Sequence, residues 1–125
     1  MTDLTDVTVS SLTIGSTVQH EPTTQALVAN GAITIKHGVV TMAKTVPGAL
    51  AITLANPTAT TDDYKVLTII SAQAQANTVA CAGGFGNGGA GEVTATFGGA
   101  IGDCMIVMAY QGYWYIIGKY NVVVA

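Results

Sequence analysis

The sequence contains no arginine and few charged residues of any kind. Charged residues make up 9% of the 125 positions, and Lys36, Lys44, Lys65 and Lys119 are the only strong cations, whereas typical soluble domains contain about 25% charged residues. With so few cations and a net charge of −3, the chain cannot neutralise a run of phosphates, and nucleic-acid binding is not expected. Low charge also weakens repulsion between copies and therefore favours association.

Long hydrophobic runs and a leader pattern are absent as well. The first residues, 1–11, carry acids where a signal peptide carries basic residues. No apolar run approaches the ~20 residues of a membrane span, because the longest one, residues 105–117, is interrupted by Gln111 and Gly112. These features predict a protein that is synthesised in the cytoplasm and has no membrane partner.

Motifs that carry catalysis or hold a cofactor are nearly missing. Residues 84–89 match the G-x-G-x-x-G spacing, but a Thr-rich strand is predicted next instead of the helix that receives a pyrophosphate. His20 and His37 are the only histidines, and no Cys or His spacing indicates a zinc site. Asp62 and Asp63 are adjacent, which suits a turn better than a pair of catalytic carboxyls. We expect no enzyme, no cofactor and no metal.

Two cysteines, Cys81 and Cys104, are too few for a disulfide framework. One interpretation is that both are buried thiols, which behave as small apolar side chains. The other is a single disulfide, within one chain or between subunits, that forms once the protein leaves the reducing cytosol. Within one chain this bond would close a loop around the glycine-rich residues 83–91.

The chain does contain many short alternating segments rich in β-branched residues, separated by Gly, Pro, Asn and Asp. No segment shows a sustained 3.6-residue apolar period. Residues 31–125 are therefore predicted to form one compact all-β domain, a β-sandwich or barrel. The segments 32–36 and 39–42, on either side of His37-Gly38, predict a hairpin, and a second hairpin is predicted about Gln111-Gly112.

The first thirty residues differ from the rest and lack clear turn chemistry before Asn30-Gly31. Two interpretations are open for residues 1–30: an extended N-terminal arm, or an ordinary first strand of the domain. An arm of this kind adds backbone hydrogen bonds at an exposed sheet edge of a neighbouring subunit. Its candidate interface residues are apolar side chains spread among Thr and Ser: Leu4, Val7, Val9, Leu12 and Ile14.

Aromatic residues cluster late in the chain, in Tyr113, Trp114 and Tyr115. Alternation along a strand sends the two tyrosines to one face and the tryptophan to the other. Aromatic side chains with a polar atom are common both in sheet packing and at interfaces. All three are candidates for a subunit or receptor contact, with packing within the domain as the alternative.

Several motifs together resemble a group of known proteins. The order is a P-T-A-x-x-D-D-x-K-x-L-x-I segment starting at Pro57, a glycine-rich loop at Gly83, an A-T-F-G-G turn at Ala95, and G-Y-W-Y at Gly112. Over residues 31–125 this order resembles small Gly- and Thr-rich virion proteins of tailed bacteriophages. The motifs are structural, so the resemblance carries over no catalytic residues.

The resemblance implies a function as a structural protein of the virion. Capsid decoration, or cement, proteins of this type are β-rich, often homotrimeric, and bind the major capsid protein on the capsid surface, where they stabilise the lattice. The expected partners are therefore the major capsid protein and further copies of the chain. The alternative is a tail-fibre or head-fibre domain that binds a host receptor or glycan.

Overall fold

The structure, a computed structural model, describes residues 22–86 and 92–125. Within these ranges the regular structure is all β, and it contains no helix. The strands are β1 (Thr24–Leu27), β2 (Gly31–Ile33), β3 (Gly38–Met42), β4 (Ala51–Leu54), β5 (Val66–Ser71), β6 (Thr78–Ala80), β7 (Thr94–Phe97), β8 (Cys104–Tyr110), β9 (Tyr113–Tyr120) and β10 (Val122–Val124).

The strands form two five-stranded sheets that pack face to face. Sheet A has the order β1-β3-β5-β8-β9, and sheet B has the order β2-β4-β6-β7-β10. Each strand of sheet A therefore has a counterpart in sheet B at the same level of the stack. The pairs β1/β2, β3/β4, β5/β6, β8/β7 and β9/β10 make five successive rungs, separated by about 4.8 Å, the usual distance between strands.

The first three rungs are parallel. The chain passes from sheet A to sheet B within each rung and returns to sheet A for the next, so β1, β3 and β5 are parallel neighbours, as are β2, β4 and β6. The last two rungs run antiparallel to their neighbours, and β8 and β9 form a hairpin. Its turn has positive φ at Gln111 (47°) and Gly112 (86°), the backbone that two-residue hairpins favour.

The core lies between the sheets and follows the alternation of the strands. Inward-facing residues are buried and mostly aliphatic, which explains patterns such as the alternating burial along β5 and β8. The largest fully buried side chains include Trp114, Phe97, Met42 and Leu50. Trp114 also donates its indole N–H to the carbonyl of Ala55 at 2.9 Å, so its one polar atom is satisfied in the core.

Comparison with the predictions confirms the all-β class and the sandwich, and it confirms the hairpin about Gln111-Gly112. The hairpin predicted at His37-Gly38 is wrong, because β2 and β3 lie in different sheets. Residues 34–37 carry the chain from sheet B to sheet A. Within residues 1–30, for which an arm or a first strand was predicted, residues 24–27 form β1, which pairs with β3. Residues 1–21 lie outside the described residues, so the choice between the two interpretations stays open.

Candidate interaction surface

The outer surface of sheet A is rich in large apolar side chains. We call this surface the A face. Alternation along the strands places the following residues on it: Thr24, Ala26, Val39, Thr41, Val66, Thr68, Ile70, Cys104, Ile106, Met108, Tyr110, Tyr113, Tyr115 and Tyr120. None of these described residues is charged. The central strands β5 and β8 are thus apolar on both sides, which is typical of strands that are covered on both faces.

The outer surface of sheet B, the B face, has a different character. Its strand residues are small and are mainly alanine and threonine: Ala32, Ala51, Thr53, Thr78, Ala80, Thr94, Thr96 and Val123. These side chains leave little apolar area for a partner to cover. Among these strand residues the two outer surfaces therefore differ in bulk and not in charge: the A face offers Ile, Met and Tyr side chains, whereas Val123 is the largest apolar side chain on the B face.

Tyrosines gather at one end of the A face. The ring of Tyr110 lies 5.8 Å from that of Tyr64 and 6.5 Å from that of Tyr115, between ring centroids. Tyr64 is 69% exposed and Tyr110 is 42% exposed. These distances fall within the range of favourable aromatic pairs, so the cluster presents ordered aromatic surface to solvent.

Backbone and carboxylate contacts fix this tyrosine cluster. Asp63 accepts two hydrogen bonds from Gln111, one from the backbone N–H at 2.7 Å and one from the side-chain amide at 2.6 Å. The N–H of Tyr64 donates to the carbonyl of Ala109 at 2.7 Å. The loop that carries Tyr64 is thereby bonded to the β8–β9 hairpin that carries Tyr110, which holds the rings together.

A buried carboxylate organises the loop behind the cluster. Asp62 accepts hydrogen bonds from the ammonium groups of Lys36 (2.7 Å) and Lys65 (2.8 Å) and from the backbone N–H of Thr58 (2.7 Å). The hydrogen bond from Lys36, then those from Lys65 and Thr58, hold the pKa of Asp62 well below its ordinary value. This site joins Lys36, which lies between β2 and β3, to residues 58–65 and has the character of a structural clamp.

A second polar network lies where the chain crosses between the sheets. Asn77 is fully buried; its side-chain oxygen accepts from Leu50 N–H (2.8 Å) and from the Gln73 amide (2.7 Å), and its amide donates to Ser71 Oγ (3.0 Å). Ser71 Oγ donates in turn to the carbonyl of Gln73 at 2.9 Å. Every member therefore has a partner, which is what makes a buried polar network stabilising.

The structure separates the predicted interface residues into three groups. Tyr113 and Tyr115 lie on the A face, Tyr113 exposed and Tyr115 half-buried, and their interface role stays a prediction. Trp114 is 0% exposed, so the interface role proposed for it is wrong: the alternation that puts the tyrosines outside puts its indole in the core. Leu4, Val7, Val9, Leu12 and Ile14 lie outside the described residues.

Both cysteines are free thiols. Cys104 begins β8 opposite Ile70, at the end of sheet A from which the chain crosses to β6, whereas Cys81 follows β6 at the other end of sheet B. The intrachain disulfide is therefore not formed; a bond between subunits stays a prediction. Burial raises the pKa of the Cys81 thiol, which agrees with the buried-thiol interpretation for this residue.

Other features of the described residues carry little chemistry. Among residues 22–86 and 92–125, no group of three or more His, Cys, Asp or Glu side chains is placed to hold a metal. A groove of about 300 Å³ beside sheet B is lined mainly by apolar residues, including Ala32, Leu54, Ala80 and Val93. No helix in the described part of the chain is long and apolar enough to cross a membrane.

The large apolar side chains of the A face were not predicted from the sequence, although the pattern of β5 and β8 indicates them. In β5 and β8 apolar residues occupy both alternating positions, as in Val66-Leu67 and Ile106-Val107, which indicates a sheet covered on both sides.

No family model, curated protein or solved structure matches the chain. Fold and surface together define a two-sheet β-sandwich with one uncharged, apolar outer face.

Proposed function

We propose that the chain is a structural protein of a virus particle, a capsid decoration protein that binds the major capsid protein as a homo-oligomer. The observation that carries the proposal is the A face, in which strands β5 and β8 present Val, Ile and Met to the outside without any charge. Contiguous apolar surface of this kind marks sites of protein–protein contact. The resemblance of residues 31–125 to phage virion proteins supplies the kind of particle.

The mechanism is mechanical rather than chemical. The A face excludes water against its partner, and several copies in one oligomer bind several capsid subunits at once. Multivalent attachment multiplies weak individual contacts, because each further contact forms within an already bound complex. The clamp at Asp62 and the network at Asn77 keep the loops of the sandwich in one arrangement, so little entropy is lost when the surface is covered.

A matched pair of substitutions tests the A face. Thr68 on β5 and Thr78 on β6 both face outward, are half-buried and lie on the middle strand of their sheets. Thr68→Lys places a charge in the proposed contact, and desolvating it costs about 3 kcal/mol, or roughly 100-fold in affinity for bare, expanded capsids. Thr78→Lys adds the same charge to the B face and should bind as wild type.

Co-sedimentation of labelled protein with capsids measures both affinities. Both variants should unfold at nearly the wild-type temperature, because both positions face outward. Equal binding by the two variants would remove the A face as the contact surface. A wild-type protein that does not sediment with expanded capsids would refute the decoration function itself.

A fibre domain that binds a host receptor or glycan is the second candidate. The observation that favours it is the ordered cluster of Tyr64, Tyr110 and Tyr115, in which Tyr64 and Tyr110 are exposed and Tyr115 is half-buried. The Asp63–Gln111 contacts hold the cluster. Tyr110→Ala removes the central ring. A fibre function predicts that wild type binds glycans on an array or adsorbs to host cells, and that Tyr110→Ala does neither.

A further inference from the structure

One asparagine of the described chain combines the features that spontaneous deamidation requires. Asn30 is followed by a glycine, both residues are exposed, and Gly31 begins β2, a strand of only three residues. Deamidation starts when the backbone nitrogen of the following residue attacks the side-chain amide carbon. Glycine favours this step, because it has no Cβ to crowd the nitrogen or to restrict its φ and ψ angles.

The other asparagines of the described residues each lack one of these features. Asn56 precedes Pro57, which has no backbone N–H and cannot attack. Asn77 is fully buried. Asn121 precedes Val122, whose β-branched side chain crowds the backbone nitrogen, and its own amide donates to a buried carboxylate at 2.9 Å. Within residues 22–86 and 92–125, Asn30 is therefore the asparagine suited to the reaction.

The fold also places a hydrogen-bond donor on the oxygen that gains charge during the attack. The backbone N–H of Ala51 donates to Asn30 Oδ1 at 2.9 Å. Ala51 belongs to β4, which pairs with both β2 and β6 and is therefore held in place. A positioned N–H stabilises the negative charge that develops on a carbonyl oxygen under attack. The attacking nitrogen lies at the end of a short strand, where backbone pairing opens most easily.

We infer that Asn30-Gly31 is a deamidation and isomerisation site of the folded protein. The Gly31 nitrogen loses its proton and bonds to Asn30 Cγ, while the side-chain nitrogen takes up a proton and leaves as ammonia. The product is a cyclic succinimide. Water then adds to one of its two carbonyl carbons and that C–N bond breaks, which gives aspartate or isoaspartate. No oxidant, reductant or cofactor takes part, and the inference is independent of the proposed function.

The two products differ in their effect on the start of β2. Both add one negative charge to a chain whose net charge is −3. Both keep an oxygen on Cγ, so the N–H of Ala51 retains an acceptor. In isoaspartate, however, the main chain runs through Cβ and Cγ and is one carbon longer before Gly31. Because Gly31 pairs with Ile52, isoaspartate alters the spacing at the beginning of this ladder, whereas aspartate leaves it unchanged.

Peptide mapping of the full-length folded protein tests the inference. The protein is incubated at mildly alkaline pH, because the attacking nitrogen must lose its proton, and is then digested with trypsin. Residues 1–36 form one tryptic peptide, in which Asn30 is the single asparagine. Asn87-Gly88 lies outside the described residues and falls in another peptide, residues 66–119. We expect the mass gain of amide hydrolysis, and labelling by an isoaspartyl methyltransferase, to increase with time in residues 1–36.

Gly31→Ala is the matched control, because a Cβ at Gly31 would meet nothing closer than the Ala29 carbonyl oxygen at 4.0 Å. Its methyl group crowds the attacking nitrogen, so the reaction should slow by at least about tenfold, which is about 1.4 kcal/mol in the barrier. Asn30→Gln, which must close a larger ring, serves if Gly31→Ala does not fold. Residues 1–36 that gain mass in urea but not in the folded protein overturn the inference, as do equal rates in wild type and a folded variant.

Discussion

The buried amide of Asn77 permits a sharp test of how much one polar contact stabilises this sandwich. Its oxygen is the partner of the Leu50 N–H, at 2.8 Å, and Leu50 is itself 1% exposed. In Asn77→Ala the Gln73 amide keeps the Gly48 carbonyl and Ser71 Oγ keeps the Gln73 carbonyl. The Leu50 N–H, in contrast, is left buried without a partner.

The expected loss of stability in Asn77→Ala follows from the hydrogen bonds that are lost and kept. One orphaned buried donor costs about 1–3 kcal/mol, and the cavity left by the amide adds roughly 1 kcal/mol. We therefore expect Asn77→Ala to lower the free energy of unfolding by about 2–4 kcal/mol, a large part of the ~5–15 kcal/mol of a typical domain. Urea unfolding followed by tryptophan fluorescence measures this value, because Trp114 is the only tryptophan and is buried.

The next backbone N–H along the chain, that of Ala51, supplies a matched control. It donates to the side-chain oxygen of Asn30 at 2.9 Å, which is the same kind of contact as that between Leu50 and Asn77, but at an exposed site. Water can replace the Asn30 oxygen as the acceptor, so Asn30→Ala should lower the free energy of unfolding by less than about 1 kcal/mol. Equal losses in the two variants, or a loss below 1 kcal/mol for Asn77→Ala, would refute the argument that burial decides the cost.

Two further predictions concern acid stability and the attachment of β1. The folded pKa of Asp62 lies below the unfolded value of about 3.8. The contribution of Asp62 to the free energy of unfolding is therefore complete above that pH and is lost as the pH falls from there toward the folded pKa. In urea unfolding between pH 7 and pH 2, Asp62→Asn should lose less of its free energy of unfolding than wild type. Gly38→Ala would bring a Cβ to 1.9 Å from the Thr23 carbonyl oxygen at a φ of +113°. We therefore expect it to destabilise the fold by at least about 1–3 kcal/mol and to speed amide exchange at Val39. Gly102→Ala is the control for the φ angle alone, because Gly102 has a φ of +96° and an added Cβ there would meet no atom within 4 Å.

The positions of the strands were largely predictable from sequence, and their partners were not. Alternation located β3 and the β8–β9 hairpin because each of these strands has one face in the core. The four residues between β2 and β3 match the length of a hairpin loop, yet they cross between sheets. The contacts that direct this crossing come from far along the chain, since Lys36 pairs with Asp62, 26 residues away. No local pattern encodes such a partner.

The candidate surface was predictable only in part. Exposure of Tyr113 and burial of Trp114 follow from alternation once the inner face is known, but the sequence alone does not say which face is inner. Asp62 and Asp103 illustrate a different limit. Both are buried acceptors of backbone N–H groups, from Thr58 and Ala100 respectively, and their roles depend on loop geometry that residue type alone does not determine.

The two ends of the stack differ because the strands of the first three rungs run parallel, whereas those of the last two rungs run antiparallel to their neighbours. The parallel rungs repeat a single crossing, so nothing in their geometry ends the series at β1 and β2. At the other end the antiparallel rungs stop growth, because β9 is joined to β8 by a tight turn and to β10 through Asn121 alone. Among the described residues, the sandwich therefore combines three rungs made by one repeated crossing with an end that is closed by an antiparallel hairpin.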